Sequence, residues 1–346
     1  MTVKISKPAV NLREELNELK KPTGVAGEAM LRAETPQEQF NLISAGRRNL
    51  LINGDFRVGQ RGNYTSATAV TTNNYYLDRW NLDFSGVSAT IQNNSTDLPN
   101  GITAKTAKVA ATSTGGAGYI QIRQRIEVES WMDNRTVTVS SWVKSNTAYP
   151  RLRIEGAAPT TNQDSTHIYS GSGNWEFLTM TLTLRDAISV FSVGVILWNS
   201  GTVAISSGDY VEISQFQVEL GKVATPFEHR SYGEELALCQ RYFRRMGNND
   251  GTNTHLMSGG VEGSATFVVS MVNPTTMRAV PTVTIGSGVL AYSASSGSVT
   301  INSFASRCSR DVACISATVG GTSTLGQSAV LFGAGTNGHI DLNAEL

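Results

Sequence analysis

Charge is scarce in this chain. Only 16% of its 346 residues are Asp, Glu, Lys or Arg, and the two signs balance at 28 each. A chain without net charge gives no electrostatic reason to expect nucleic acid or an anionic membrane surface. Long apolar runs are missing too, and nothing approaches the roughly 18 residues that cross a bilayer as a helix. The opening MTVKISKPAV has two lysines but no apolar stretch behind them, so it does not read as a secretory leader. Cys239, Cys308 and Cys314 have no zinc-ligand spacing, and one must stay unpaired. Cys308 and Cys314 sit close enough in sequence to meet across a hairpin. His167, His229, His255 and His339 stand far apart. There is no G-x-S-x-G elbow, no H-E-x-x-H and no phosphate loop. Glu127 and Glu129 read as a solvated strand edge rather than a catalytic pair. No internal period supports a long β-helix. The expectation is a non-enzyme without cofactor or metal.

What the chain does have is glycine, 33 residues of it, between short alternating segments. Residues 48–230 carry some ten candidate strands with no helix between them, among them 49–53, 76–84, 118–128, 135–144, 150–155, 189–198 and 210–219. That pattern predicts an antiparallel sandwich or jelly roll. Residues 247–346 repeat it on a smaller scale and predict a second small β sandwich. Between the two lies the best-marked helix, predicted over 231–246. Ser231 and Glu234 form a capping box, and Leu236, Cys239, Phe243 and Met246 fall at helical spacing, with Arg241, Arg244 and Arg245 mostly opposite. Residues 1–47 form a short helical arm. Leu12, Leu16 and Leu19 make one narrow stripe, and Phe40, Leu42 and Ile43 follow a second capping box at Thr35. Such stripes bury poorly on each other, so the arm packs on the next domain or docks on a partner or sister subunit. The class is mainly β throughout.

Alternation also sorts the strand faces. Val137, Val139 and Val143 oppose Trp142; Phe191, Val193, Val195 and Leu197 oppose Ile196 and Trp198; Ile120, Ile122 and Ile126 oppose Tyr119, Gln121 and Arg123. If the second faces share a sheet, Tyr119, Gln121, Arg123, Trp142 and Trp198 line an open groove. Flat rings beside polar donors suit a sugar, whose C–H face stacks while its hydroxyls hydrogen-bond. The competing account has the tryptophans capping the core or covered by the arm. Trp80 and Trp175 read as core or turn-packing residues.

RNLLINGDFRVGQRG (48–62) with YYLDRWNL (75–82) resembles the opening of carbohydrate-binding-module-like jelly rolls in phage tail and fibre proteins. VELGKVATPFEHRSYGEELALCQRYF (218–243) is similar to the ending and linker of the same proteins, and TMRAVPTVTI (276–285) with GHIDLNAEL (338–346) to their C-terminal domain. The resemblance implies a virion structural protein, a tail fibre or a head or collar fibre assembled in the host cytoplasm. It implies a homotrimer, held by its N-terminal arm on a virion adaptor, portal, tail or capsid protein. Its β domains would meet host-surface polysaccharide, or serve only as structure or decoration; a capsule-degrading enzyme is the weaker implication. Related modules hold a structural calcium, and Asn53, Asp55 and Glu212 correspond loosely to that place. Three such ligands are too few for a hard cation that takes six to eight oxygens.

Overall fold

The computed structural model describes residues 48–346 except 63, 100, 117, 161, 199–203, 248–250 and 336. The arm, with Leu12, Leu16, Leu19, Phe40, Leu42 and Ile43, lies outside the described residues. The chain is mainly β, with antiparallel sheets and, among the described residues, one α-helix.

Twelve strands come first: β1 (Thr68–Val70), β2 (Asn74–Leu77), β3 (Trp80–Ser85), β4 (Ala89–Asp97), β5 (Thr103–Ala111), β6 (Tyr119–Ile126), β7 (Thr136–Ser145), β8 (Pro150–Glu155), β9 (Asn162–Ile168), β10 (Glu176–Thr183), β11 (Phe191–Leu197) and β12 (Tyr210–Leu220). They form two six-stranded sheets, ordered β1-β4-β5-β12-β7-β10 and β2-β3-β6-β11-β8-β9. The apolar faces read from alternation meet between them. Val137, Val139, Ile120, Ile122, Val193 and Val195 are all fully buried in one core.

Segment 49–53, expected as a strand, is not one. It runs over the sandwich as an irregular strap, spending its backbone groups on side chains. The Asn49 amide donates to the Phe216 carbonyl at 3.1 Å and accepts from the Val218 N–H. The Asn53 amide ties the strap to Val58 and to the Asp78 carbonyl. Gly54 sits where a Cβ would lie 2.2 Å from the Phe216 oxygen, so only glycine lets the strap this close. Below it Trp80 packs between Phe56 and Phe216, at 4.9 and 5.3 Å between ring centroids, and its indole N–H donates to Asn53.

The helix α1 spans Tyr232–Gln240 and stops short of the predicted 246. Ser231 caps it, accepting from the Glu234 N–H. Its buried Glu235 accepts from the Asn53 N–H and Arg230, which fixes the helix to the strap. Phe243 and Met246 are buried as predicted, but at the two ends of a strand, β13 (Phe243–Met246). β13 pairs with β21 (Ile340–Asn343), nearly a hundred residues later, and that pairing overrides local helical spacing.

Between them lie β14 (Gly251–Gly263), β15 (Thr266–Val272), β16 (Thr282–Ile285), β17 (Val289–Ser293), β18 (Gly297–Ser306), β19 (Val312–Val319) and β20 (Ser328–Gly335). The region expected as a small sandwich closes further. β14-β15-β19-β18-β17-β20 form a closed barrel, with β13-β21-β16 as a separate three-stranded sheet. It has its own core around Phe267, Val269, Ile315 and Leu331. Cys308 places its sulfur 3.2 Å from both the N–H and the carbonyl of Cys314, and both thiols are free.

The arginines of 241–245, which sequence spacing leaves outward, are used within the chain. Arg241 and the Tyr242 hydroxyl both bond Glu127, so that carboxylate belongs to a joint and not to a solvated edge. Arg245 grips Asp341 and the Arg61 carbonyl, and Arg244 bonds Asn273. At the centre, Glu345 receives Arg79 on one oxygen and Arg61 on the other. The Arg79 guanidinium lies 3.6 Å over the Tyr242 ring and that of Arg61 3.8 Å over Phe243. Gln60 bridges Asp78 to the Phe243 carbonyl. Glu345→Ala strips two buried guanidinium groups of their carboxylate and lowers stability by about 3–5 kcal/mol, measured by urea unfolding; a change within the error of the midpoint would show the pair to be idle.

Asp78 is fully buried, and burial pushes its carboxyl from 3.8 up to about 6, against the opposing pull of Arg61 and the Gln60 hydrogen bonds. A raised carboxyl favours the fold when protonated, so its contribution is greatest below pH 4 and is lost as pH rises through 6. Relative to Asp78→Asn, the native protein therefore loses on the order of 2–3 kcal/mol between pH 4 and pH 7. Parallel pH profiles in urea unfolding for the two proteins would remove Asp78 from that titration.

Candidate functional site

The outer face of the second sheet carries the site. Its middle strand β11 sends Phe191, Val193, Val195 and Leu197 into the core and presents Ser192, Gly194 and Ile196 outward, with Trp198 just past its end. Beside this strand, at Ile196 and Trp198, a trough opens. At Gly194 a Cβ would fall 2.1 Å from the Ile122 carbonyl oxygen and 2.8 Å from the Arg123 Cβ, so only glycine lets the stem of Arg123 lie this close. Arg123, on β6, reaches across β11. One guanidinium nitrogen donates to Glu155 on β8 at 2.6 Å and another to Asp83 on β3 at 2.8 Å. On the far side Arg153 forks onto both oxygens of Asp164, at 2.5 and 2.9 Å. The trough has a volume of about 620 Å³.

One end is aromatic. Trp198, half-buried, lies with the Arg153 guanidinium 5.3 Å from its ring centroid, and Arg151 donates to its carbonyl at 3.1 Å. Across from it the Tyr119 hydroxyl donates to Asp83 at 3.1 Å. Burial, and then the adjoining Asp83 carboxylate, push the Tyr119 phenol up, so it stays a donor. Between these two, Gln121 is 2% exposed and its side-chain nitrogen has no hydrogen-bond partner. A buried amide donor is expensive to leave unmade, and this one lines the trough.

Of the five residues predicted to share a groove, the structure brings Tyr119, Gln121, Arg123 and Trp198 together. Trp142 is elsewhere. It lies on β7 in the other sheet, its ring 5.3 Å from that of Phe177. Alternation assigns a side chain to a face of its strand and says nothing of which sheet the strand joins. Asp83, Arg153, Glu155 and Asp164 were missed. The alternation of PRLRIE, with Leu152 and Ile154 buried, was signal enough for Arg153 and Glu155. Trp80 is core, as predicted, and Trp175 is half-buried.

Asn53, Asp55 and Glu212 are turned mainly to other partners. Asn53 is spent on the strap, Glu212 accepts from Thr106 at 2.7 Å, and Asp55 pairs with Arg57 at 2.8 Å through one oxygen while the other is buried without a partner. Among the described residues no group of three or more His, Cys, Asp or Glu could hold a metal ion.

No family model and no curated protein matches the chain. Solved structures similar to part of it include the enzymatically active domain of bacteriophage CBA120 tailspike protein 4. It is 16% identical over 50% of this chain and 21% of that one, with a TM-score of 0.32, so the match spans about a fifth of the tailspike. TmCBM61 in complex with β-1,4-galactotriose is 11% identical over 51% of this chain and all of that one, at 0.32. A putative sugar binding protein from Bacteroides thetaiotaomicron is 11% identical over 50% and 100%, at 0.30.

Gln121→Leu replaces a partnerless donor by an apolar group of similar size. It leaves stability unchanged or raises it by on the order of 1 kcal/mol. A clear drop in the thermal midpoint would show that the amide has a partner in the free protein.

Proposed function

We propose that the chain is a virion fibre protein whose first sandwich binds host-surface saccharide in the trough on its second sheet. The observation that carries the binding reading is Gln121, a buried donor without an acceptor beneath a trough flanked by Trp198 and Tyr119. A saccharide supplies what is missing. A ring or hydroxyl oxygen accepts from Gln121, other hydroxyls donate to Glu155 and Asp164, and a C–H face stacks at Trp198. The virion assignment comes from the resemblance of 48–62, 218–243 and 338–346 to phage fibre proteins, with residues 1–47 as the anchor and a homotrimer as the assembly.

The reading is of binding rather than catalysis. Glycoside cleavage needs one carboxyl that gives up a proton. Asp83, Glu155 and Asp164 each accept from a guanidinium, the arrangement of a fixed recognition surface.

Two substitutions separate the trough from the opposite sheet. Trp198→Ala weakens saccharide binding at least about tenfold in titration calorimetry, the scale of one aromatic contact, with the fold intact by circular dichroism. Trp142→Ala leaves affinity unchanged; the reverse outcome would move the site to the other sheet. Deleting residues 1–46 yields a folded protein that no longer incorporates into particles, and incorporation of the truncated chain would overturn the anchor.

A further inference from the structure

We propose that the trough takes an uncharged saccharide and excludes anionic sugars. The inference rests on the saccharide-binding reading above and adds the class of sugar. Three carboxylates line the trough, Asp83, Glu155 and Asp164, against two guanidinium groups, Arg123 and Arg153. Both guanidinium groups already have carboxylate counter-charges. Arg123 divides two of its nitrogens between Glu155 and Asp83, and Arg153 gives a forked pair to Asp164. Arg151, a further cation beside the trough, is turned to the Tyr149 and Trp198 carbonyls, with Asp164 at 4.0 Å.

An incoming carboxylate would have to share these guanidinium groups with their present partners while standing beside three like charges. Like charges brought together in a partly dry site give a discrimination on the order of 100-fold or more. An uncharged polyhydroxyl meets no such barrier. Its hydroxyl protons go to carboxylate oxygens, which only accept, and one of its oxygens takes the Gln121 proton that nothing else accepts. The carboxylates are an obstacle to anions and a set of acceptors for hydroxyls at once. The arginines hold them in place and do not act as the ligand's counter-charge.

The test uses the full chain and matched pairs of oligosaccharides that differ by one oxidation at C6: galacto- against galacturono-, gluco- against glucurono- and manno- against mannurono-oligomers of equal length. At least one neutral member binds in titration calorimetry, and its acidic counterpart binds on the order of 100-fold more weakly. Affinity for the neutral member is the same in 0.05 and 0.5 M NaCl, because no ion pair forms. Glu155→Gln removes one like charge, and uronate affinity rises by about tenfold while that of the neutral member changes less. Asp164→Asn does the same from the other side and serves if Glu155→Gln fails to fold. Equal or tighter binding of an acidic member, or salt-sensitive binding of the neutral one, overturns the proposal. So does uronate affinity that neither substitution raises. Absence of binding by every pair removes the saccharide reading itself, and with it this extension.

Discussion

Glu345 supplies the carboxylate that two buried arginines share. Arg79 is 1% exposed and Arg61 is stacked on Phe243, and neither could be buried there alone without a large desolvation cost. Their shared carboxylate is what makes the joint possible. Around it the chain adds further ties of the same kind, Glu127 with Arg241 and Tyr242, and Asp341 with Arg245. Among the described residues, ion pairs gather where the two β units meet and in the trough. A low charge content does not mean weak electrostatics.

The trough follows the same economy on the outer face of one sheet. Its surface comes from side chains that lock one another across β11, over a glycine at 194 that leaves room for the Arg123 stem. Arg123 reaches from the second strand of one flank to the first of the other, so β3, β6, β11 and β8 are cross-braced above the sheet as well as by backbone pairing. A site braced in this way is organised before any ligand arrives, which limits what binding costs in side-chain ordering.

Much of this was legible because β strands announce their faces. The inward sets of β6, β7 and β11 read directly from alternation, and so did the cap at Ser231. The failures share one cause, which is that pairing partners lie far away in sequence. Trp142 has the right face of the wrong sheet. Phe243 and Met246 keep helical spacing with Cys239, yet β21 claims them for a strand. β9 (NQDSTHI) buries only Ser165 and has no apolar alternation to betray it, since an edge strand outside the core needs none. The barrel's closure was equally silent. It depends on β14 pairing with β20, and on a glycine at 259 whose Cβ would meet the Val268 oxygen at 1.9 Å. Of the trough, the residues on β6 and β11 were read from alternation and those on β8 could have been; that Asp83 on β3 and Asp164 on β9 meet them was not legible, because strand order is a long-range property.

The joint also sets an order of events during synthesis. Arg79 precedes its carboxylate partner by 266 positions. At roughly 5–20 residues per second, the ribosome delivers Glu345 some 15–50 s after Arg79. Ten of the twelve strands of the first sandwich, β3 to β12, are made within that interval, and until it ends the guanidinium that will be sealed inside the joint must remain in water. The nascent chain therefore waits with an open, solvated face at this point, and burial of Arg79 marks the moment at which the second unit has folded and docked.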